Sequence, residues 1–131
     1  MALKKVLVVD DAELVHKMHA LVLARYHGSE LLHAYNGTQA LEMLHKHPDV
    51  QLILLDINMP VMDGLRFLEA RNQLGIFKNI PVIIISTEGK EDDTKRGMAA
   101  GAVAYVTKPF RPGQLHAIID GLLGEKAGDP T

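Results

Sequence analysis

Cysteine is absent from the 131 residues, and thiol catalysis, zinc ribbons, iron–sulfur clusters and disulfide frameworks are excluded with it. Long hydrophobic runs are missing too. The apolar stretch after Met1 to Lys5 is only Val6 to Val9, far too short for a signal-peptide core or a membrane span, so a cytoplasmic location is expected, with no membrane partner. No block or stripe of basic residues interrupts the chain: 14 Lys and Arg stand against 16 Asp and Glu, a formal net charge of −2. Direct binding of this segment to a nucleic-acid backbone is therefore not expected. No internal repeat or low-complexity segment is visible, and the length leaves room for one domain, which excludes two-domain enzymes. What is present is ordinary for a globular chain. Hydrophobic residues make up 47% and charged residues 23%, enough for one continuous core without metal or disulfide staples.

Four apolar runs rich in branched residues punctuate the sequence: Val6 to Val9, Leu52 to Leu55, Pro81 to Ile85 and Val103 to Val106, with a weaker fifth at Glu30 to Ala34. Continuous apolar runs suit strands covered on both faces, as in a parallel sheet between helices. Between them lie residues at helical spacing: Leu14, Met18, Leu21 and Val22; Ala40, Leu41 and Leu44; Leu65, Leu68 and Asn72; Leu115, Ile118, Ile119 and Leu122. Punctuation agrees. Asn36-Gly37 and Asp63-Gly64 precede helical stretches, Gly101 suits a left-handed cap, and Pro112 suits a first helical turn. The alternation of strand and helix predicts an α/β fold with an open, doubly wound sheet. Residues 1–123 form the domain, and 124–131, which lose the apolar period, read as a frayed tail or the start of a linker.

The polar residues that end these runs carry the functional signal. Val9 is followed by Asp10-Asp11, Leu55 by Asp56, Ile85 by Ser86-Thr87, and Val106 by Thr107-Lys108. In a parallel sheet every carboxyl end lies on one edge, and open α/β sheets bind ligands there, where the strand order reverses. Three carboxylates crowded together raise one another's pKa and destabilise the fold unless a cation compensates. Mg²⁺ suits an all-oxygen site of this kind, whereas the lack of Cys, and of His beside these runs, argues against zinc. A carboxylate beside such an ion can act as a nucleophile toward phosphorus, with Lys108 and a hydroxyl stabilising the equatorial oxygens.

The blocks Val-Val-Asp10-Asp11, Leu-Leu-Asp56-Ile-Asn-Met-Pro60 through Met-Asp63-Gly64, Pro81-Val-Ile-Ile-Ile-Ser86 and Tyr105-Val-Thr-Lys108-Pro109-Phe110 resemble the receiver domain of two-component response regulators, over about Lys4 to Leu123. The resemblance is closest to the single-domain, chemotaxis-type receivers (CheY-like). It implies a flavodoxin-like, five-stranded parallel sheet in the order 2-1-3-4-5 with five helices. It also implies that Asp56 accepts a phosphoryl group, and that Asp10, Asp11, Asp56 and the main-chain carbonyl of Asn58 bind Mg²⁺. Ser86 matches the switch hydroxyl, Lys108 the phosphoryl-binding ammonium and Tyr105 the aromatic whose rotamer follows activation. Lys108-Pro109 matches a peptide bond that is cis in the family. The implied donor is a phosphohistidine of a sensor histidine kinase or a histidine phosphotransfer protein, docking near the first helix. The implied readout is binding of a downstream output protein or output domain at the surface of helix 4, strand 5 and helix 5. Such a domain is not an enzyme beyond assisting its own phosphorylation and dephosphorylation. Asn58, Thr87, Glu88 and Pro109 flank the site. Ser86 departs from the more usual Thr, and the bulky Thr87 stands where a small Ala is usual, which narrows access.

Each residue also has a plainer reading. Asp10-Asp11 could cap a helix beginning near Ala12, Ser86-Thr87 could belong to a turn, and Lys108 could be a solvated side chain. Glu91-Asp92-Asp93 complements a helix dipole, and Met43, Met59, Met62 and Met98 fill core or loops. His16 with His19, and His45 with His47, have metal-like spacing but no third ligand, and read as surface histidines. Two other function classes share the fold. A haloacid-dehalogenase-like Mg²⁺ phosphatase with Asp56 as nucleophile needs a second Asp two positions on, where Asn58 stands. A flavodoxin-like carrier would have its FMN phosphate repelled by Asp10-Asp11. A receiver forming part of a larger regulator, with DNA-binding or enzymatic output, is equally compatible with this sequence.

Overall fold

In the computed structural model, which describes residues 3–57, 63–75, 77, 79–86 and 91–124, with the side chains of 91–93 excepted, strand and helix alternate throughout. The elements are β1 (Lys5–Val9), α1 (Glu13–Leu23), β2 (Glu30–Ala34), α2 (Gly37–Lys46), β3 (Leu52–Leu55), α3 (Gly64–Leu74), β4 (Val82–Ser86), α4 (Glu91–Ala99), β5 (Ala104–Thr107) and α5 (Pro112–Leu122). All strand pairs are parallel, in the order β2-β1-β3-β4-β5. The expected α/β class and strand order are those observed.

The continuous apolar runs have the expected cause. Leu7, Val9, Ile53, Leu55, Val82 and Ile84 point into one core, under α2 and α3. Their sequence neighbours Val6, Val8, Leu52, Leu54, Ile83 and Ile85 point into the other, under α1 and α5. Side chains alternate faces along a strand, and with helices on both sides every position is buried, so no polar alternation survives in the sequence.

Helix punctuation follows side-chain chemistry. Asn36 caps α2 by accepting from the Gln39 N–H at 2.9 Å, and Asp63 caps α3 by accepting from the Arg66 N–H at 2.9 Å. Pro112 starts α5, and Gly101, past the end of α4, has φ 109°. The α1 helix is tied to α5 by polar contacts. Asp120 receives Arg25 at 2.8 Å and the Tyr26 hydroxyl at 2.8 Å, and the His116 ring donates to the Val22 carbonyl at 2.7 Å. Asp120 is buried, so this pairing removes what would be an uncompensated charge. No helix among the described residues is long and apolar enough to cross a membrane.

Helix α1 departs from expectation. Of the expected Leu14, Met18, Leu21 and Val22, Val22 packs inward and the other three face solvent, with Leu14 68% and Leu21 79% exposed, while His16 and His19 are 1% and 2% exposed. The sequence offers two stripes on opposite sides of this helix, and the one that packs is His16, His19, Val22 and Leu23. These two histidines are therefore core residues, and the surface reading is overturned. For His16 the reason is polar: its ring bridges from α1 to the end of β1 and to β2.

Gly64 allows α3 to start directly beneath the end of β3. A Cβ there would run into the Asp56 carbonyl oxygen and lie 2.9 Å from the Ile57 Cα, whereas a Cβ at Gly121 on α5 meets nothing within 4 Å among the described residues. Gly64→Ala is expected to destabilise the fold by about 1–3 kcal/mol through overpacking against main chain. Gly121→Ala is expected to stabilise it by about 0.5–1 kcal/mol through its backbone entropy. Urea unfolding of the two variants checks the opposite signs.

Candidate functional site

The register of the sheet assembles the site. Val9 pairs with Leu55 across β1 and β3, so the next residues, Asp10 and Asp56, leave the sheet side by side, and the Asp56 N–H donates to the Val9 carbonyl at 2.9 Å. Ser86 pairs with Thr107 across β4 and β5, and the Lys108 N–H donates to the Ser86 carbonyl at 2.7 Å. Lys108 then reaches across the edge, its ammonium 3.0 Å from Asp10 Oδ2. The Lys108–Pro109 peptide is cis. Asp10, Asp56 and Ser86 are buried, Lys108 and Tyr105 are half-buried, and Asp11 is exposed.

Asp10, Asp11 and Asp56 each bring a carboxylate oxygen within 4.8 Å of the others. At that separation two like charges in a protein surface repel by roughly 3 kcal/mol. The three carboxylates outnumber the Lys108 ammonium that faces them, and a divalent cation is suited to balance such a cluster. The donor set is all hard oxygen, which fits Mg²⁺. Asp10-Asp11 do not cap α1 in the ordinary way. Ala12 occupies the N-cap without a side-chain bond, while Asp10 Oδ1 accepts from the Ala12 N–H at 2.9 Å.

Several expected site positions, Asn58, Thr87 and Glu88, lie outside the described residues, as do Met59, Pro60, Met62 and residues 125–131. The acids at 91–93 do stand in the first turn of α4, their side chains undescribed. Met43 packs against the core and Met98 is 43% exposed.

Histidines are the site neighbours that sequence reasoning missed. The His16 ε nitrogen lies 2.8 Å from the Asp10 main-chain oxygen, and its δ nitrogen 2.7 Å from that of His33. His19 stacks on Phe110 with ring centroids 5.9 Å apart, beside a cavity of about 330 Å³ lined by Val15, Met18, His19, Lys108, Pro109 and Phe110. Its Nδ1 is buried without a hydrogen-bond partner among the described residues. The i, i+3 spacing of His16 and His19 was visible in the sequence, but the competing Leu14-Met18-Leu21 stripe hid which face is inward. Burial, followed by the nearby Lys108 ammonium, lowers His19 from its ordinary 6.5 to about 4; His16 adds to this and Asp10 opposes it. His33 is lowered as well, by partial burial and then by His16.

The profile of the family described as "Response regulator receiver domain" matches residues 6–120. The chain is 31% identical over 125 residues to the chemotaxis protein CheY homolog of Campylobacter jejuni, spanning 95% of this chain and 96% of that protein. It is 32% identical over 120 residues to the phosphate regulon transcriptional regulatory protein PhoB of Escherichia coli, spanning 92% of this chain and 52% of PhoB. Among solved structures, the Vibrio cholerae chemotaxis protein CheY4 aligns with a TM-score of 0.80 at 32% identity, covering 92% of this chain and 99% of that one.

The depressed basicity of His19 sets an acid limit on the fold. Between pH 6.5 and 4 the unfolded chain holds a proton on this imidazole that the folded chain refuses, so stability is complete above 6.5 and drains away as pH falls. This residue alone is expected to cost about 2 kcal/mol between pH 7 and pH 5. Urea midpoints at both pH values, for wild type and His19→Leu, check this: the Leu variant should lose that share of the dependence, and parallel losses in both proteins would exclude His19 as its source.

Proposed function

This chain belongs to the response regulator receiver family, the phosphoacceptor domains of two-component signalling, and on that footing we propose that Asp56 is its phosphoacceptor. The observation that carries this reading is the position of Asp56 beyond β3, within 4.8 Å of the Asp10 and Asp11 carboxylate oxygens, with Lys108 held at the same edge by Asp10. In the transfer, a carboxylate oxygen of Asp56 forms a bond to phosphorus while the phosphorus–nitrogen bond of a donor phosphohistidine breaks. The imidazole leaves with the electron pair and takes up a proton.

Receiver domains bind Mg²⁺ at their acidic site, and here Asp10, Asp11, Asp56 and the carbonyl of Asn58 would hold it. When bound, the ion neutralises the entering phosphoryl oxygens. Lys108 exchanges its contact with Asp10 for one with the phosphoryl group, and the Ser86 hydroxyl donates to another of its oxygens. Tyr105 then responds to the altered loop between β4 and α4. A phosphoryl group adds close to two negative charges and three acceptor oxygens, enough to reorganise such a loop. The activity is confined to the domain's own phosphorylation and dephosphorylation.

Response regulators work with histidine kinases and output domains. The partners proposed here are a sensor histidine kinase or histidine phosphotransfer protein as donor, and an output protein or domain at the α4, β5 and α5 surface. The exposed Leu14-Met18-Leu21 stripe beside the site supports donor docking on α1. Residues 1–123 form the receiver, 124–131 a tail or the start of a linker, and the site of action is the cytoplasm.

Intact-mass measurement after incubation with a small acyl-phosphate donor tests the phosphoacceptor. Wild type is expected to gain one phosphoryl group with Mg²⁺ and none after chelation, Asp56→Asn should gain none, and Lys108→Ala should be labelled without the conformational response. Equal labelling of wild type and Asp56→Asn would exclude Asp56. A separate variant addresses docking. Leu21→Asp is expected to slow transfer from a protein phosphohistidine donor by about tenfold or more, as loss of an exposed apolar anchor does. It should leave labelling by the small acyl phosphate unchanged.

A further inference from the structure

Asp10 is held at four points. Its N–H donates to the Ala34 carbonyl at 3.1 Å, Oδ1 accepts from the Ala12 N–H at 2.9 Å and Oδ2 accepts from Lys108 at 3.0 Å. Its main-chain oxygen lies 2.8 Å from the ε nitrogen of His16, six residues on. The first contact belongs to the sheet and the next two engage the carboxylate. The fourth has no counterpart in the ladder, because β2 stops at Ala34 and the donor at this point is a side chain.

A carbonyl oxygen carries no hydrogen, so the ε nitrogen of His16 must be the donor, whichever way the proton lies between the two δ nitrogens of His16 and His33. Their 2.7 Å contact and the Tyr35 ring, 4.5 Å away centroid to centroid, fix the orientation of the imidazole. Tyr35 is in turn bonded through its hydroxyl to Glu13 Oε2 at 2.7 Å. The Asp10 carbonyl belongs to the planar peptide unit that joins Asp10 to Asp11. Gripping that oxygen sets the tilt of the plane, and with it the angle between the two side chains that leave its ends.

Resting on the phosphoacceptor reading above, we propose that His16 is a positioning residue for the cation site: its ε N–H clamps the peptide between Asp10 and Asp11 so that both carboxylates face the ion before it arrives. It touches neither substrate nor metal. Its role is that of the outer hydrogen bonds which orient metal ligands, whose loss typically lowers metal affinity by about 10–100-fold.

Two substitutions separate clamping from packing. His16→Gln keeps an N–H donor near the position of the ε nitrogen, and His16→Leu keeps the bulk without it. Calorimetric titration of the unphosphorylated proteins with Mg²⁺ is expected to give the Leu variant about tenfold or more weaker affinity, with Gln close to wild type. Labelling by a small acyl phosphate should recover its wild-type rate in the Leu variant at saturating Mg²⁺. Unchanged Mg²⁺ affinity in the Leu variant, or equal weakening in Leu and Gln, would overturn the proposal. If circular dichroism shows the Leu variant unfolded, His33→Ala decides, since it removes an exposed residue of β2 and frees the imidazole to turn. Severalfold weaker Mg²⁺ binding then supports the clamp, and wild-type affinity overturns it. On the metal-free wild type, nitrogen-15 spectra must show hydrogen on the His16 ε nitrogen; a bare ε nitrogen ends the proposal. Wild-type protein that binds no Mg²⁺ would instead overturn the phosphoacceptor reading.

Discussion

The pairing of Val9 with Leu55 across β1 and β3 is the constraint on which the site depends. Parallel ladders bring carboxyl ends to one edge, but only this register sets Asp10 beside Asp56. A slip of one residue between the strands would turn the two acids to opposite faces. The register is held by buried side chains on both faces of both strands, so the apolar packing that stabilises the fold also aligns the acids. Fold energy and site geometry have one source.

The cost of that alignment is electrostatic. Three carboxylates bring oxygens within 4.8 Å of one another at the edge, and Lys108 forms a close ion pair with one of them, Asp10. A cluster of acids of this kind suits a divalent ion, which is the basis of the phosphoacceptor proposal. The ion pair joins the end of β1 to the residue after β5, spanning the edge of the sheet. The charge balance around Asp10 is thereby tied to the residue that follows β5.

Behind the acids, α1 presents imidazoles where a hydrocarbon face would serve packing alone. His16 meets the main chain of Asp10 and a second imidazole on β2. His19 packs on Phe110 with a buried nitrogen that has no partner among the described residues. Val22 and Leu23 share the inner face with them, while Leu14, Met18 and Leu21 lie outside. The arrangement sacrifices some packing energy on the inner face and leaves an apolar stripe beside the site, at the place proposed for donor docking.

The sequence by itself determined the strands, the alternation with helices and the residues at strand ends. Uninterrupted branched runs such as Leu52 to Leu55 can be buried on both faces only in a sheet covered by helices, and that pattern is local to the chain. Caps at Asn36 and Asp63 were legible for the same reason: the donor and acceptor lie within three residues of each other. Tertiary structure alone decided which face of α1 is inward, because two stripes at helical spacing compete and only docking onto the sheet chooses between them. It alone paired Lys108 with Asp10 rather than another acid, and His16 with His33. Those choices join residues far apart in sequence, and no periodicity records a distance that exists only once the sheet has formed.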